Sequence, residues 1–169
     1  MTENEQRQIF NRWLDEHKGI LFKIVRAYAF TDHDQEDLFQ EIAVKVWKSV
    51  PDFRGESKPS TWIYRVALFA ATVWVRQEKK RPDATPMEAI ERILNANQSA
   101  GKEDERLTWL YEQIGQLEPP TRSVCLLMLD GYKHREIAEL LGISGSNVSV
   151  KIHRAKQHLT RKSKELKSK

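Results

Sequence analysis

The sequence has few of the features that mark secreted, membrane or disulfide-bonded proteins. It contains one cysteine, Cys125, so no internal disulfide can form, and its position in the apolar run Val124–Leu129 predicts a buried thiol. No apolar run approaches the ~20 residues that span a bilayer. The polar segment Met1–Arg7 does not have the pattern of a secretory signal. We therefore expect a cytoplasmic protein that does not insert into membranes.

Sequence signals for catalysis are also scarce. The chain has no phosphate-binding loop, nucleophile elbow or paired metal motif, so we expect no enzyme activity and no cofactor. The residues that follow Asp32 do not match a calcium-binding EF-hand loop. Asp37 stands at the position that requires glycine, and Ala43 stands at the position that requires glutamate. A metal site built from His33, Asp37 and Glu41 remains as an alternative, and it would suit a metal-dependent hydrolase.

Charge is unevenly distributed along the chain. Residues 151–169 carry eight Lys or Arg and one Glu, a balance of +7, whereas residues 1–150 carry 20 basic and 23 acidic side chains, a balance of −3. A basic end on a slightly acidic chain indicates a polyanion bound at one place. We interpret the last part, residues 162–169, as a solvated lysine tail.

Strand signals are weak, and hydrophobic residues recur at helical spacing through most of the chain. We predict an all-α fold of two small helical domains joined by a flexible linker, the second domain containing a helix-turn-helix. The domains are 5–82 and 103–169, with the linker at 83–102. Predicted helices cover about 5–30, 35–50, 60–80, 103–117, 120–130, 134–141 and 145–161, and a short one is possible at 87–94.

Polar and conformationally special residues mark the predicted helix ends. Thr31 offers an N-cap before the second helix, and Ser60 or Thr61 offers one before the third. Pro51 and Pro82 stop the second and third helices. The Pro, Asn and Ser residues near the ends of the segment 83–102 are typical of a loop, and they predict the linker.

The segment 132–156 has the layout of a helix-turn-helix, with its turn at Gly142 and a basic second helix. Ser144 can cap that second helix, whose free N–H groups also attract phosphate. An apolar stripe should pack on the preceding helix at Ile137, Leu140 and Leu141. The stripe consists of Val148, Ile152, Ala155 and Leu159.

Two segments of the first domain call for a function other than duplex binding. Five carboxylates lie within residues 32–41, and Asp34, Asp37 and Glu41 share one helical face. That face is either solvated or a docking surface for a basic protein. Further along, the loop and helix 53–66 combine aromatic and basic side chains, a combination that can stack unpaired bases and hold a nucleic-acid backbone. Trp and Tyr at such spacing are more often part of a core.

Together these segments resemble the extracytoplasmic-function sigma factors of bacterial RNA polymerase. The matching stretches occur in the family's order and cover most of residues 10–160. They are Gln35–Trp47, Phe53–Ser57, Thr61–Arg65, Arg135–Ser144, Val148 and His153–Ala155.

The resemblance implies a protein that binds core RNA polymerase and directs promoter-specific transcription initiation. In this family the acidic helix docks on the clamp helices of the largest polymerase subunit. The implied polymerase contacts are Asp34, Asp37, Leu38, Gln40, Glu41 and Trp47. The family also allows an anti-sigma factor as a further partner, which the sequence does not name.

Promoter DNA is the second implied partner, both as melted strand and as duplex. The loop and aromatic helix of the first domain should read the minus-ten element as single strand. The implied contacts there are Phe53, Arg54, Lys58, Trp62, Tyr64 and Arg65. The last helix should read the minus-thirty-five element. Its implied contacts are Ser146, Asn147, Ser149, Val150, Lys151, His153, Arg154 and Lys156.

The sequence departs from the family pattern at two places that touch DNA. Leu68–Val75 is almost wholly apolar, with Phe69 where the family often has an Asn. On the recognition helix, Ser149 stands in place of the usual Lys or Arg, and Val150 in place of Ser. The sequence therefore does not predict which promoter is preferred. An ordinary helix-turn-helix regulator that acts without polymerase is the alternative function.

Overall fold

The computed structural model describes residues 1–79 and 104–168, and every regular element in those residues is helical. The chain divides into two compact helical units. The all-α prediction is confirmed. The predicted linker at 83–102 and the short helix at 87–94 lie outside the described residues.

The first unit contains three helices that pack pairwise around one core. Helix α1 spans Glu3–Tyr28, α2 spans Asp32–Ser49, and α3 spans Pro59–Lys79. A short 3₁₀ helix, Val50–Asp52, follows α2. The core side chains with almost no exposure come from all three helices. They include Leu21, Ile24, Leu38, Ile42, Ile63 and Leu68.

Local capping chemistry explains where these helices begin. Thr2 and Glu5 cap α1 reciprocally, and the Thr31 hydroxyl accepts a hydrogen bond from the Asp34 amide at 3.0 Å at the start of α2. The predicted cap at Ser60 or Thr61 is wrong. Helix α3 already begins at Pro59, where a missing N–H has no cost and the fixed φ suits a first helical turn.

The second unit contains four helices. Helix α4 spans Glu105–Gly115, α5 spans Pro119–Leu129, α6 spans His134–Leu141 and α7 spans Gly145–Lys167. Helix α7 packs on each of the other three. Helix α5 is the most buried element, with Thr121–Leu127 buried throughout, so it forms the centre of this unit. Helix α7 extends beyond the predicted end at residue 161, so much of the basic tail is helical.

The turn between α6 and α7 has the predicted form. Gly142 adopts φ 68°, a left-handed conformation that costs a side-chain-bearing residue but not glycine. The Ile143 amide then reaches back to the Ala138 carbonyl at 3.1 Å. The Ser144 hydroxyl accepts from the Asn147 amide at 3.1 Å and caps α7. These local bonds set the angle at which α7 leaves α6.

Candidate polymerase-binding and nucleic-acid interfaces

Burial on α2 decides which of its side chains can meet a partner. Leu38, Ile42 and Val46 are 0–1% exposed and turn inward. The side chains on the opposite side are exposed, and they combine acidic, amide, imidazole and apolar groups with one lysine. They are His33, Glu36, Asp37, Gln40, Glu41, Val44 and Lys48. The predicted acidic face is therefore exposed to solvent, apart from Asp34, which is half-buried.

Two predicted contact residues lie in the core of the first unit. Leu38 is fully buried, and Tyr64 is 1% exposed. Neither side chain is available to polymerase or DNA in this conformation. Leu38 faces inward because it follows the same helical stripe as Ile42. Tyr64 faces inward because α3 packs on both other helices and so buries a wide arc of its surface.

Asp37 is bound to a residue that the sequence did not connect with it. The indole Nε1 of Trp74, on α3, donates a hydrogen bond to Asp37 Oδ2 at 3.0 Å. Trp74 is 7% exposed, so this bond supplies the partner that its buried N–H needs. The carboxylate keeps its exposed side, so Asp37 joins α2 to α3 and still contributes charge to the surface.

Trp47 is held at the junction of α2 with α1. Its ring meets Phe10 edge to face, with centroids 5.4 Å apart, and its carbonyl accepts from Gln6 Nε2 at 2.8 Å. The Trp47 side chain is half-buried, so only part of the ring can contact a partner. Val44, one turn away, is 46% exposed and was not predicted. Val44 lies within the matching stretch Gln35–Trp47, but an apolar side chain in an amphipathic helix gives no sign that it is exposed.

The loop between the 3₁₀ helix and α3 is anchored by aromatic rings. Phe53 lies between Trp13 and Trp62, with centroid distances of 5.2 and 5.6 Å. The Trp62 indole Nε1 donates to the Ser49 hydroxyl at 3.1 Å. Phe53 and Trp62 are both half-buried, so they support the loop and expose only part of each ring.

The part of the loop beyond Phe53 is exposed and turns at Gly55, whose φ of 74° favours glycine. Arg54 and Lys58 project from it, and Arg65 is exposed on α3. These three cations lie on or near the loop, close in sequence to the partly exposed Trp62 ring. They form the part of the predicted minus-ten set that a nucleic acid could reach.

The outward face of α7 opposes its buried stripe. Val148, Ile152 and Ala155 are 0–4% exposed, and Leu159 is half-buried, as predicted. Among the predicted duplex contacts only Lys151 is half-buried; the others are exposed. They are Ser146, Asn147, Ser149, Val150, His153, Arg154 and Lys156. At 100° per residue, Val150 lies almost opposite Val148 and Ile152. Val150 is thus at the middle of the outward face.

His158 lies beside this face but is largely enclosed. Arg161 Nη2 donates to His158 Nδ1 at 3.4 Å, and His158 Nε2 is buried without a hydrogen bond within the described residues. Burial lowers the pKa of His158, and the positive charges of Arg161 and Lys162 lower it further. Both effects favour the neutral imidazole, which lies beside the backbone of Gln113 in α4.

The metal-site alternative finds no geometric support in the described ranges. In residues 1–79 and 104–168, no three His, Cys, Asp or Glu side chains are grouped closely enough to hold a metal ion. His33, Asp37 and Glu41 therefore do not form a ligand set. Among the same residues, no helix is both long and apolar enough to cross a membrane.

Comparison with known protein families identifies both units. The family model Sigma-70 region 2 matches residues 13–81, and Sigma-70, region 4 matches residues 107–159. The first match contains α2, the anchored loop and α3, and the second runs from residue 107 in α4 to residue 159 in α7. The matched regions together include most of the chain.

Curated relatives align over nearly the full length. The chain is 28% identical to the ECF RNA polymerase sigma-E factors of Escherichia coli strain K12 and Salmonella typhimurium strain LT2, covering 95% of this chain and 90% of each relative. The sigma-E factor of Haemophilus influenzae is 25% identical with the same coverage. The order of the two units is thus shared with these proteins.

Two solved structures share the fold. The structure of CnrH in complex with the cytosolic domain of CnrY matches with a TM-score of 0.63 and 21% identity over 94% of this chain and 90% of that one. RpoE from Bartonella quintana, in complex with the anti-sigma factor NepR, matches with a TM-score of 0.57 and 16% identity over 92% and 94%. With the two family models and the near full-length relatives, the chain belongs to the sigma-70 family, as a sigma factor of the extracytoplasmic-function type.

Proposed function

We propose that this sigma factor uses three separate surfaces, one for each step from polymerase binding to promoter opening. The protein binds core RNA polymerase and directs promoter-specific transcription initiation. The observation that carries the residue assignments is that both sigma regions occur in one chain, each with an exposed face of the charge that its partner requires. The chain acts in the cytoplasm and performs no catalysis itself.

The first surface is the outward side of α2, which we define as Asp37, Gln40, Glu41, Val44 and the free edge of Trp47. Its two carboxylates suit a basic partner, and exposed Val44 adds an apolar contact. We propose that this surface docks on the clamp helices of polymerase. Leu38 supports the surface from beneath.

The second surface is the anchored loop with the start of α3. Exposed Arg54, Lys58 and Arg65 can hold phosphates, and the Trp62 edge can contact an unstacked base. The ring contacts of Phe53 hold this loop in place, so less conformational entropy is lost when DNA binds. We propose that this surface captures the melted minus-ten strand.

The third surface is the outward face of α7. Its geometry is that of a recognition helix, with Val150, His153 and Arg154 exposed at the centre and Lys156 at the margin. We propose that the central side chains meet base edges of the minus-thirty-five duplex and that Lys151 and Lys156 meet phosphates. An anti-sigma factor, as in the RpoE structure, would regulate the protein by covering one of these surfaces.

The decisive experiment reconstitutes the full chain with core polymerase and selects promoters from a randomised duplex library. The selected promoters should share two elements and should support transcription only when both proteins are present. The variant Glu41→Lys should bind core more weakly, while its duplex binding through α7 stays unchanged. Specific binding of one duplex element by the chain alone, with no effect of polymerase, would instead identify an ordinary helix-turn-helix regulator.

A further inference from the structure

Two of the five histidines are exposed on the helix-turn-helix that α6 and α7 form. His153 lies on the outward face of α7, and His134 is the first residue of α6. Neither imidazole makes a hydrogen bond or an ion pair with any residue in 1–79 or 104–168. The charge of both side chains therefore depends on the pH and on the partner that covers them.

His153 lies among positive charges. Every charged side chain within one turn of it is a cation, and these are Lys151, Arg154 and Lys156. The first carboxylate of α7 is Glu165, about 18 Å further along the helix axis. The other helices of this unit pack on the buried stripe of α7, about 130° around the helix from His153, so their charged groups do not face it. A polyanion that covers this face therefore meets His153 with no acidic group beside it.

His134 has cations on both sides of it in the chain, the exposed Lys133 and Arg135. The carboxylates of α6 are Glu136 and Glu139, which lie about 140–160° around the helix from His134. Glu136 Oε1 already accepts a hydrogen bond from the Lys133 amide at 3.1 Å. The acidic groups of α6 therefore do not face the imidazole.

The elements that pack on α6 bring few further charges near His134. Helix α5 has one charged side chain, the buried Arg122, and α7 has none before Lys151. Asp130, in the turn before α6, makes no ion pair with His134. The imidazole can therefore meet an anion of a binding partner without first breaking an ion pair within the described residues.

The imidazole of histidine takes up a proton between about pH 5 and about pH 8, and both of its nitrogens then donate. A phosphate or a guanine edge within reach favours the charged form, so DNA binding and proton uptake assist each other. The resulting gain in affinity is present in acid and is lost as the pH rises through the range in which the bound imidazole titrates. Binding at mildly acidic pH is then tighter than binding at alkaline pH.

We propose that mild acid strengthens the binding of this sigma factor to the minus-thirty-five duplex, through protonation of His153 and His134. His153 donates to an acceptor in the major groove or on its rim. His134 donates to a phosphate, because the first helix of a helix-turn-helix lies across the DNA backbone. This inference depends on the proposed function of α7. It adds a response to pH at the duplex surface, by which promoter occupancy rises as the cytoplasm is acidified.

The test uses the full chain in holoenzyme and a duplex probe that carries the minus-thirty-five element of a selected promoter without its minus-ten element. The ratio of wild-type affinity to that of the double variant His134→Gln, His153→Gln, taken at each pH, cancels the pH dependence of the polymerase and of His158. At about 0.1 M salt this ratio should rise between about pH 8 and about pH 6, by about fivefold for each histidine. Over the same change of pH, the dependence of wild-type affinity on salt should steepen by up to about one in the logarithmic slope for each histidine, whereas the slope of the double variant should stay the same.

Two controls separate the charge of these imidazoles from other causes. His17→Gln removes a histidine on α1, outside the three proposed surfaces, and the ratio of wild-type affinity to that of this variant should stay flat with pH. A second double variant, His134→Lys, His153→Lys, keeps a positive charge at both positions throughout the series. The ratio of its affinity to that of the double glutamine variant should therefore not change with pH.

The outcomes separate this inference from the proposed function. If the wild-type holoenzyme binds the probe and the ratio to the double glutamine variant is flat with pH, the histidine role is overturned while the sigma function stands. A ratio that falls on acidification also overturns it, because DNA would then prefer the neutral imidazole. Failure of the wild-type holoenzyme to bind the probe at any pH would refute the proposed function of α7 itself.

Discussion

The indole Nε1 of Trp74 donates a hydrogen bond to Oδ2 of Asp37 at 3.0 Å, and this bond joins the proposed polymerase-binding surface to the core of the first unit. Trp74 is nearly buried, whereas Asp37 is exposed. Asp37 therefore has a structural role, as the acceptor for Trp74, and a proposed role in polymerase binding. A substitution of Asp37 itself would change both at once. A variant of Trp74 and a variant of Glu41, the other exposed carboxylate of the proposed surface, can separate them.

Trp74→Phe keeps an aromatic ring, removes the donor and leaves a small cavity at a nearly buried position. We expect it to lower the free energy of unfolding by at least about 1 kcal/mol, the typical net contribution of the hydrogen bond alone, with little effect on core affinity. Glu41→Lys should weaken core binding and leave the free energy of unfolding almost unchanged. Exposed substitutions usually cost under ~0.5 kcal/mol of stability, whereas a reversed charge repels a basic partner. Tryptophan fluorescence during urea unfolding measures the first effect, because four of the five tryptophans lie in the first unit. Equal core affinity for Glu41→Lys and the wild type would exclude the docking assignment.

Val150 at the centre of the outward face of α7 predicts an apolar contact with DNA. A thymine C5 methyl is the apolar group that the major groove offers. Replacing each thymine of the minus-thirty-five element by deoxyuridine should weaken wild-type binding at one position, by about fourfold for one buried methyl group. Val150→Ala should lose that sensitivity. If thymine and deoxyuridine are equivalent at every position for the wild type, Val150 contacts no methyl group.

Arg154 and Lys156 should differ in what they recognise. An Arg–guanine pair contributes about 1–3 kcal/mol of discrimination, so Arg154→Ala should relax preference at one or two base pairs. Lys156→Ala should weaken binding to all sequences alike and make binding less dependent on salt, as expected for one lost phosphate contact. Holoenzyme binding to promoter variants across a salt series measures both. A uniform loss with Arg154→Ala would reassign that residue to the phosphate backbone.

Features set by local bonds were predictable from the sequence. Thr31, Gly142 and Ser144 each act within a few residues of chain, and the structure confirms all three. The inward stripe of α7 was likewise readable, because one spacing decides which side of a helix is apolar.

Features set by distant contacts were not predictable. Tyr64 and Phe69 lie on the same largely apolar helix, yet one is 1% and the other 71% exposed. Helix α3 is apolar around most of its circumference, so the sequence does not show which arc packs on α1 and α2. The bond from Trp74 to Asp37 joins residues 37 positions apart, and only the packing of α2 on α3 brings them together.

Labelling of Cys125 reports on the second unit, whereas tryptophan fluorescence reports mainly on the first. It is fully buried in α5, and burial raises the pKa of its thiol to about 11. Only the exposed thiolate reacts, so labelling by a maleimide near pH 8 should be slow in the native protein and should accelerate with denaturant. Because Cys125 is the only cysteine, the labelling rate reports unfolding of the second unit alone. Rapid labelling without denaturant would mean that α5 is less enclosed than the structure indicates.

The stability of the second unit should fall when the solution is acidified through the range in which histidine titrates. Burial, followed by the charges of Arg161 and Lys162, holds the pKa of His158 below its ordinary 6.5, and the nearby backbone of Gln113 and the Glu165 carboxylate oppose this more weakly. The unfolded chain takes up the proton near pH 6.5, whereas the folded chain resists it. The stabilising contribution is therefore complete above that pH and is lost as the pH falls toward the lower folded pKa.

Cys125 labelling at a fixed denaturant concentration can follow this loss. The ratio of wild-type to His158→Gln labelling rates, taken at each pH, cancels the intrinsic pH dependence of thiol reactivity. That ratio should rise between about pH 7.5 and about pH 5.5, because the glutamine variant has no proton to take up at this site. His153→Gln, which alters an exposed histidine on the same helix, is the matched control and should follow the wild type. A flat ratio for His158→Gln would show that burial of His158 does not couple proton uptake to the stability of α7.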